Sequence, residues 1–209
     1  MKKGLTEKVF ILDRSGSMAG LEKETIGGFN ALIEKQKAEE GEALVSVVLF
    51  DNVAEVLYDR IPLTEMKTMT EKQYYVRGCT ALLDALGDGI KHIGNVHKYV
   101  REEDVPEHTI FVITTDGLEN ASRKYEVGEI KKMIEFRRQE TGWDFIFLGA
   151  NIDAVETAKS YGIPGNFAEE YVATEEGTRK CYYAMNERVT KSRSRGKNNR
   201  DLIKTLEEK

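Results

Sequence analysis

Two aspartates stand where a buried strand gives way to a loop. Lys8 to Asp13 reads KVFILD and ends in a carboxylate, and His108 to Thr114 runs into Thr115-Asp116-Gly117. Beyond the first carboxylate, Asp13-Arg14-Ser15-Gly16-Ser17 adds two hydroxyls on a tight loop in which Gly16 is free to turn. Carboxylate and hydroxyl oxygens, few in number and low in total charge, suit Mg²⁺ and leave room for water or a partner's oxygen. This chemistry points to an open divalent-metal site.

Such a site needs a scaffold that brings the ends of distant strands together. KVFILD is too short and too apolar for a surface helix and reads as a central strand. From Leu21 to about Lys37, Ile26, Phe29 and Ile33 recur at helical spacing; Gly27 and Gly28 interrupt that helix and allow close packing on the sheet. Ala43 to Phe50 and Val53 to Arg60 read as strands joined by an Asp51-Asn52 turn. Pro62 to Arg77 has no clean period and reads as loop with a helical piece. Leu82, Leu83, Leu86, Ile90, Ile93 and Val100 then mark a second helix.

After the strand at His108 to Thr114, Tyr125 to Gln139 is helical, Trp143 to Leu148 a strand, and Ile152 to Tyr161 a short helix. Phe167 to Val172 is a weak sixth strand, and a last helix starts near Thr174 with Cys181, Met185 and Val189 on one face. Strand and helix alternate apart from the hairpin. The expected fold is α/β and doubly wound: a mostly parallel six-stranded sheet with one antiparallel edge strand and helices on both faces. In such a sheet, ligands bind beyond the carboxyl ends of the central strands, which is where Asp13 and Asp116 fall.

At 209 residues and 40% hydrophobic content, the chain has enough apolar side chains for one core, so collagen-like and fully disordered classes are excluded. No apolar run approaches the roughly 20 residues of a membrane span, and Gly4, Thr6, Glu7 and Lys8 interrupt any secretory signal. With Cys79 and Cys181 as its two cysteines, the chain fits a reducing cytoplasm better than a disulfide framework. From Arg188 onward, eight basic residues face three acidic ones, giving a +5 tail on a body of −10. That body will not hold nucleic acid by its general field, and no aromatic residue is interleaved in the tail to stack on bases. The expected division is a domain over residues 1–189 and a basic, flexible tail over 190–209.

The motif set resembles the von Willebrand factor A domain family, over nearly the whole chain up to about Val172, in an intracellular, prokaryotic-type form. That family's metal-ion-dependent adhesion site is Asp-x-Ser-x-Ser after the first strand, a Thr before a later helix, and an Asp after the fourth strand. Asp13, Ser15, Ser17, Thr80 (within Arg77-Gly78-Cys79-Thr80-Ala81-Leu82) and Asp116 match all five positions. The resemblance implies Mg²⁺, or Mn²⁺ or Ca²⁺, held by the three hydroxyls, with Asp13 and Asp116 acting directly or through water. It also implies a protein partner whose Asp or Glu completes the coordination, in an adaptor or subunit without catalysis of its own. Helix capping by Asp13, Asp116, Ser15 and Ser17 would explain each singly, but neither Thr80 nor the joint order.

The enzymatic rival is a Mg²⁺-dependent phosphotransferase or hydrolase of haloacid dehalogenase type, which needs Asp-x-Asp. Ser15 fills the second place and cannot act as general acid and base there. The sequence has neither a Gly-x-Ser-x-Gly elbow nor a phosphate-binding Gly-x-x-x-x-Gly-Lys-Ser/Thr loop. His92 and His97 read as surface or partly packed helix residues, and Cys79 as a small packed loop residue. Arg14 is expected to point away from the metal loop, toward an acidic partner or the acidic surface. Glu119 and Asn120 either line the rim or are solvated loop residues, with a slight preference for the latter.

Overall fold

Val9 and Ile11 point to one side of their strand, Phe10 and Leu12 to the other, and all four are buried, so that strand needs cover on both faces. The computed structural model describes the backbone of residues 1–207 and the side chains of residues 1–193. It places this strand, β1 (Lys2–Asp13), at the centre of a six-stranded sheet. The elements that follow are α1 (Glu22–Ala38), β2 (Glu42–Phe50), β3 (Ala54–Pro62), α2 (Leu82–Tyr99) and β4 (Pro106–Thr115). After them come α3 (Val127–Glu140), β5 (Asp144–Ala150), α4 (Ala154–Ser160), β6 (Ala168–Tyr171) and α5 (Glu175–Glu207).

The strand order is β3-β2-β1-β4-β5-β6; β3 is antiparallel to β2, and the remaining pairs are parallel. One core layer lies under α2, α3 and α4, around Phe111, Trp143 and Phe145. The other lies under α1 and α5, around Phe10, Phe29, Tyr182 and Met185. Chain connections leave β1 and β4 toward opposite sides, so the carboxyl ends of these two strands form the crevice of the sheet. Register puts Asp13 beside Phe50 and Leu12 beside Thr114, which sets the residues after β1, β2 and β4 at one edge.

Three expectations change. The close approach that Gly28 permits is to α5 and not to the sheet: a Cβ there would lie 2.5 Å from Tyr182 Cδ2, whereas Gly27 faces open space. β1 begins six residues earlier than its apolar run, and its charged residues Glu7 and Lys8 are fully buried. Glu7 accepts a hydrogen bond from Arg60 Nε at 2.5 Å and meets His97 Nε2 at 2.5 Å on one face. On the other, Lys8 Nζ donates to Gln36 Oε1 at 2.6 Å.

Finally, α5 crosses Val189 without a break, and Ser192 and Arg193 beyond it are buried. The expected tail from Ser194 onward lies outside the described side chains. Gln36 Nε2 donates to Asn186 and Thr190, while Arg193 donates to the carbonyls of Gln36, Glu40 and Gly41 at 3.0–3.2 Å. These carbonyls lie at and just beyond the carboxyl end of α1, where a guanidinium also meets the negative end of the helix dipole. Arg193→Ala should therefore lower stability by about 2 kcal/mol, or roughly 4–8 °C in melting temperature for a chain of this length. Thermal melts of the variant beside wild type check this.

Candidate metal centre

Asp13 closes β1 at the centre of the sheet and is 1% exposed. Three donors surround its carboxylate. Ser15 N–H donates to Oδ1 at 2.7 Å, and Thr115 Oγ1 (2.7 Å) and Asp116 N–H (3.3 Å) donate to Oδ2. A carboxylate offers about four lone-pair sites, so Asp13 has little capacity left for direct ligation. Its geometry suits holding the two loops together and reaching an ion through water. Burial pushes its carboxyl above the usual value, against the hydrogen bonds from Ser15, Thr115 and Asp116. Tyr74 O–H donates to the Asp13 carbonyl at 2.6 Å and fixes the end of the strand.

The hydroxyls lie on the loops that Asp13 organises. Ser15 Oγ and Ser17 Oγ are 3.2 Å apart. A Cβ on Gly117 would be 3.4 Å from Ser17 Oγ and 4.0 Å from Thr80 Oγ1, so both hydroxyls face the backbone just after Asp116. Thr80 is 3% exposed. The hydroxyls of two serines in contact and of a threonine beside them, next to carboxylates, are the oxygen donors that a hard cation takes.

Asp116 completes the set from the β4 side, accepting a hydrogen bond from Asn151 Nδ2 on Oδ1. Burial raises its carboxyl above the usual value, and the charge of Asp13 adds to the rise despite the Asn151 bond. Two nearby carboxylates that resist ionisation are the electrostatic mark of a place that gains from a dication. No cluster of three or more His, Cys, Asp or Glu able to hold a metal occurs among the described residues; the donors here are two carboxylates and three hydroxyls. The structure thus brings Asp13, Ser15, Ser17, Thr80 and Asp116 to one sheet edge, and these residues fit a hard divalent ion.

The loop that carries Thr80 is held by residues given smaller roles in the sequence. Thr80 N–H donates to Asn120 Oδ1 (2.9 Å), and Asn120 N–H donates to the Thr80 carbonyl (3.1 Å). Glu119 accepts from Leu83 N–H and from Ala121 and Ser122 N–H, tying the start of α2 to the loop after β4. Glu119 and Asn120 are therefore loop supports: Asn120 is exposed, as the solvated reading expects, but is tied to Thr80, and Glu119 is half-buried. Arg14, expected to face outward, is 0% exposed because it pairs with Asp51 (2.8 Å) and Glu55 (2.7 Å). Cys79, expected to be packed, is exposed, since its loop leans on Asn52 through the Cys79 N–H.

Sequence reasoning misses Asp51, Arg77, Thr115 and Asn151 as contributors. Asp51 has a signal: it follows β2 as Asp13 and Asp116 mark the ends of their own strands, at the same sheet edge. Asn151 takes up φ 55°, a left-handed conformation that asparagine tolerates, and this turns its amide toward Asp116.

The fold has counterparts among solved structures. One is the von Willebrand factor domain of a type V pilus tip protein from Porphyromonas gingivalis, with TM-score 0.60 and 11% identity over 88% of this chain and 94% of that one. Another is a von Willebrand factor type A protein from Catenulispora acidiphila, with TM-score 0.55 and 14% identity over 87% of this chain. A third is a proximal thread matrix protein from the mussel byssus, with TM-score 0.60 and 11% identity over 90% of this chain. The chain spans 42% of the Catenulispora chain and 46% of the mussel chain, less than half of either. At these identities the likeness establishes architecture: this protein has the von Willebrand factor A fold, an α/β Rossmann-like sheet. No family model matches the sequence, and no curated protein matches it. No helix among the described residues is long and apolar enough to cross a membrane.

Proposed function

We propose that this protein is a divalent-metal-dependent protein-binding module, an adaptor or subunit without catalysis of its own. One observation carries the reading. Loops from three separate stretches of chain bring the hydroxyls of Ser15, Ser17 and Thr80 to the carboxylates of Asp13 and Asp116. Ser15, Ser17, Thr80 and Asp116 would hold Mg²⁺, Mn²⁺ or Ca²⁺, with Asp13 holding the loops and an intervening water. When bound, the ion supplies a hard positive centre to which an Asp or Glu of a partner protein adds an oxygen.

The chain's own residues argue for binding over turnover. Ser15 stands where a phosphotransferase of haloacid dehalogenase type needs its second carboxylate, and its hydroxyl contacts Ser17, so that alternative has no support. His92 meets Asp59 and His97 meets Glu7, both away from the metal edge. The pilus and byssal neighbours belong to assemblies outside cells; the two free cysteines agree with a reducing cytoplasm, which stays part of this proposal.

Titration calorimetry with Mn²⁺ and Mg²⁺ tests the site, and capture of partners in Mg²⁺ against EDTA tests the binding role. Thr80→Val keeps the shape of the side chain and deletes one oxygen. It should leave the melting temperature in EDTA nearly unchanged and weaken Mn²⁺ binding roughly tenfold. Wild type that takes up neither ion at millimolar concentration would sink the proposal.

A further inference from the structure

Asp51 sits just past β2, 2% exposed, and by sequence is half of a hairpin turn. Its hydrogen bonds reach further than a turn requires. Oδ2 accepts from Arg14 Nε at 2.8 Å and from Arg77 Nε at 2.7 Å, Oδ1 accepts from Val53 N–H at 3.2 Å, and the carbonyl accepts from Ala81 N–H at 2.8 Å. Arg14 lies between Asp13 and Ser15 in the chain, Arg77 three residues before Thr80, and Ala81 directly after it. One carboxylate and one carbonyl of the same residue thus grip both sides of the hydroxyl set.

The grip is reinforced around Asp51. The Tyr75 ring lies against both guanidinium groups, at 5.2 Å from Arg14 and 5.3 Å from Arg77. Asn52 Oδ1 accepts the Cys79 N–H, and a Cβ on Gly78 would fall 1.9 Å from that oxygen, so the loop passes closer than any side chain at position 78 allows. Direct backbone bonds between the two loops are Arg77 N–H to the Arg14 carbonyl (2.9 Å) and Gly16 N–H to the Gly78 carbonyl (3.0 Å). Arg14 Nη1 is buried without a partner, which leaves Asp51 and Glu55 as the compensation for this enclosed cation.

We propose that Asp51 is a positioning residue of the metal site, clamping Arg14 and Arg77 so that the Ser15–Ser17 loop and Thr80 are held at ligating distance from one ion. The inference rests on the metal-site reading proposed above. Asp51 itself does not ligate: its oxygens are taken by arginine and backbone donors. Its effect reaches the ion through the spacing of hydroxyls that sit on two different loops.

Mn²⁺ affinity, measured by titration at low temperature on protein shown folded by circular dichroism, separates this role from plain stabilisation. Asp51→Asn keeps the shape and removes the charge, and it should weaken Mn²⁺ about 10- to 100-fold, as loss of an outer-shell support does. Arg77→Met breaks the clamp from its half-exposed side without stranding a buried charge, so it should fold and still weaken Mn²⁺ several-fold. Glu34→Gln, which loses only an exposed pair with Lys37 near the far end of α1, should stay within about twofold of wild type. Folded Asp51→Asn and Arg77→Met that bind Mn²⁺ like wild type, whatever their melting temperatures, would overturn the proposal; if Asp51→Asn does not fold, Arg77→Met decides alone. Wild type that binds no Mn²⁺ would instead overturn the metal site itself.

Discussion

Raising the pH from 6.5 to 8.5 should stabilise this protein, and Lys8→Met should abolish most of the gain. Lys8 lies at the centre of the sheet, 0% exposed, with its ammonium nitrogen against Gln36. Burial, and then the nearby positive charge of Arg193, lower its pKa from 10.5 to about 6, with Glu39 opposing weakly. An unfolded lysine keeps its proton up to about pH 10.4. The folded one releases it above about pH 6. Between these values the unfolded state holds the extra proton, so stability rises with pH and is lost as pH falls toward the folded value.

The slope from this one group is about 1.4 kcal/mol per pH unit, or roughly 3 kcal/mol over the two units. The window stops at pH 8.5 because Cys181, Tyr171 and Tyr182 are held protonated by burial. These groups pull stability the other way once their unfolded counterparts ionise. Methionine is unbranched and one atom shorter than lysine, with no charge to desolvate, so Lys8→Met should be the more stable protein at pH 6.5 and show a flatter curve. Urea melts of both proteins at four pH values provide the measurement. Parallel curves would mean that Lys8 keeps its proton in the fold.

Lys8 also marks where the sequence stops being legible. The legible strands are those whose burial is written in their own residues, KVFILD and the run ending in Thr115-Asp116-Gly117. The first half of β1 is not, because nothing local marks Glu7 as buried, or shows what meets Lys8 at the head of KVFILD, until Arg60, His97 and Gln36 arrive from 28 to 90 residues away. The same holds for α5 past Val189, where a run of basic residues and small polar ones reads as solvated. What buries Arg193 is a set of carbonyls at the far end of α1. Pairings between distant polar groups leave no local period behind.

At the site, residue type and position after a strand are enough to mark the five donors, because function places them where the chain topology alone puts a crevice. Their supports are not marked. Asp51 and Asn52 look like any hairpin turn, and Arg14 like any surface cation, since the sequence carries no sign that two loops need to be held together. Asn120 is solvent-exposed and still exchanges two hydrogen bonds with Thr80. Exposure, which sequence patterning estimates well, therefore says little about which loop residues carry a site.

Asp116→Asn should reverse the order of stability between metal-free and metal-loaded protein. In EDTA, Asp116 is a cost to the fold: burial and then the charge of Asp13 hold its carboxyl above the usual value, so ionising it near pH 7 opposes folding. Asparagine keeps an oxygen that can accept from Asn151 and carries no charge, so the variant should melt at or above the wild-type temperature in EDTA. In Mg²⁺ at about 100 times the dissociation constant, wild type gains roughly 2.7 kcal/mol, or about 5–11 °C. The variant, without the ligating charge, should gain little. The raised carboxyl also gives the pH dependence its sign: protons compete with the ion, so the Mg²⁺ gain of wild type should be smaller at pH 5 than at pH 7. Melting curves of both proteins in EDTA and Mg²⁺ at these two pH values test the whole argument. If wild type and Asp116→Asn respond to Mg²⁺ alike, the ion is binding somewhere other than the edge that Asp13, Ser15, Ser17, Thr80 and Asp116 define.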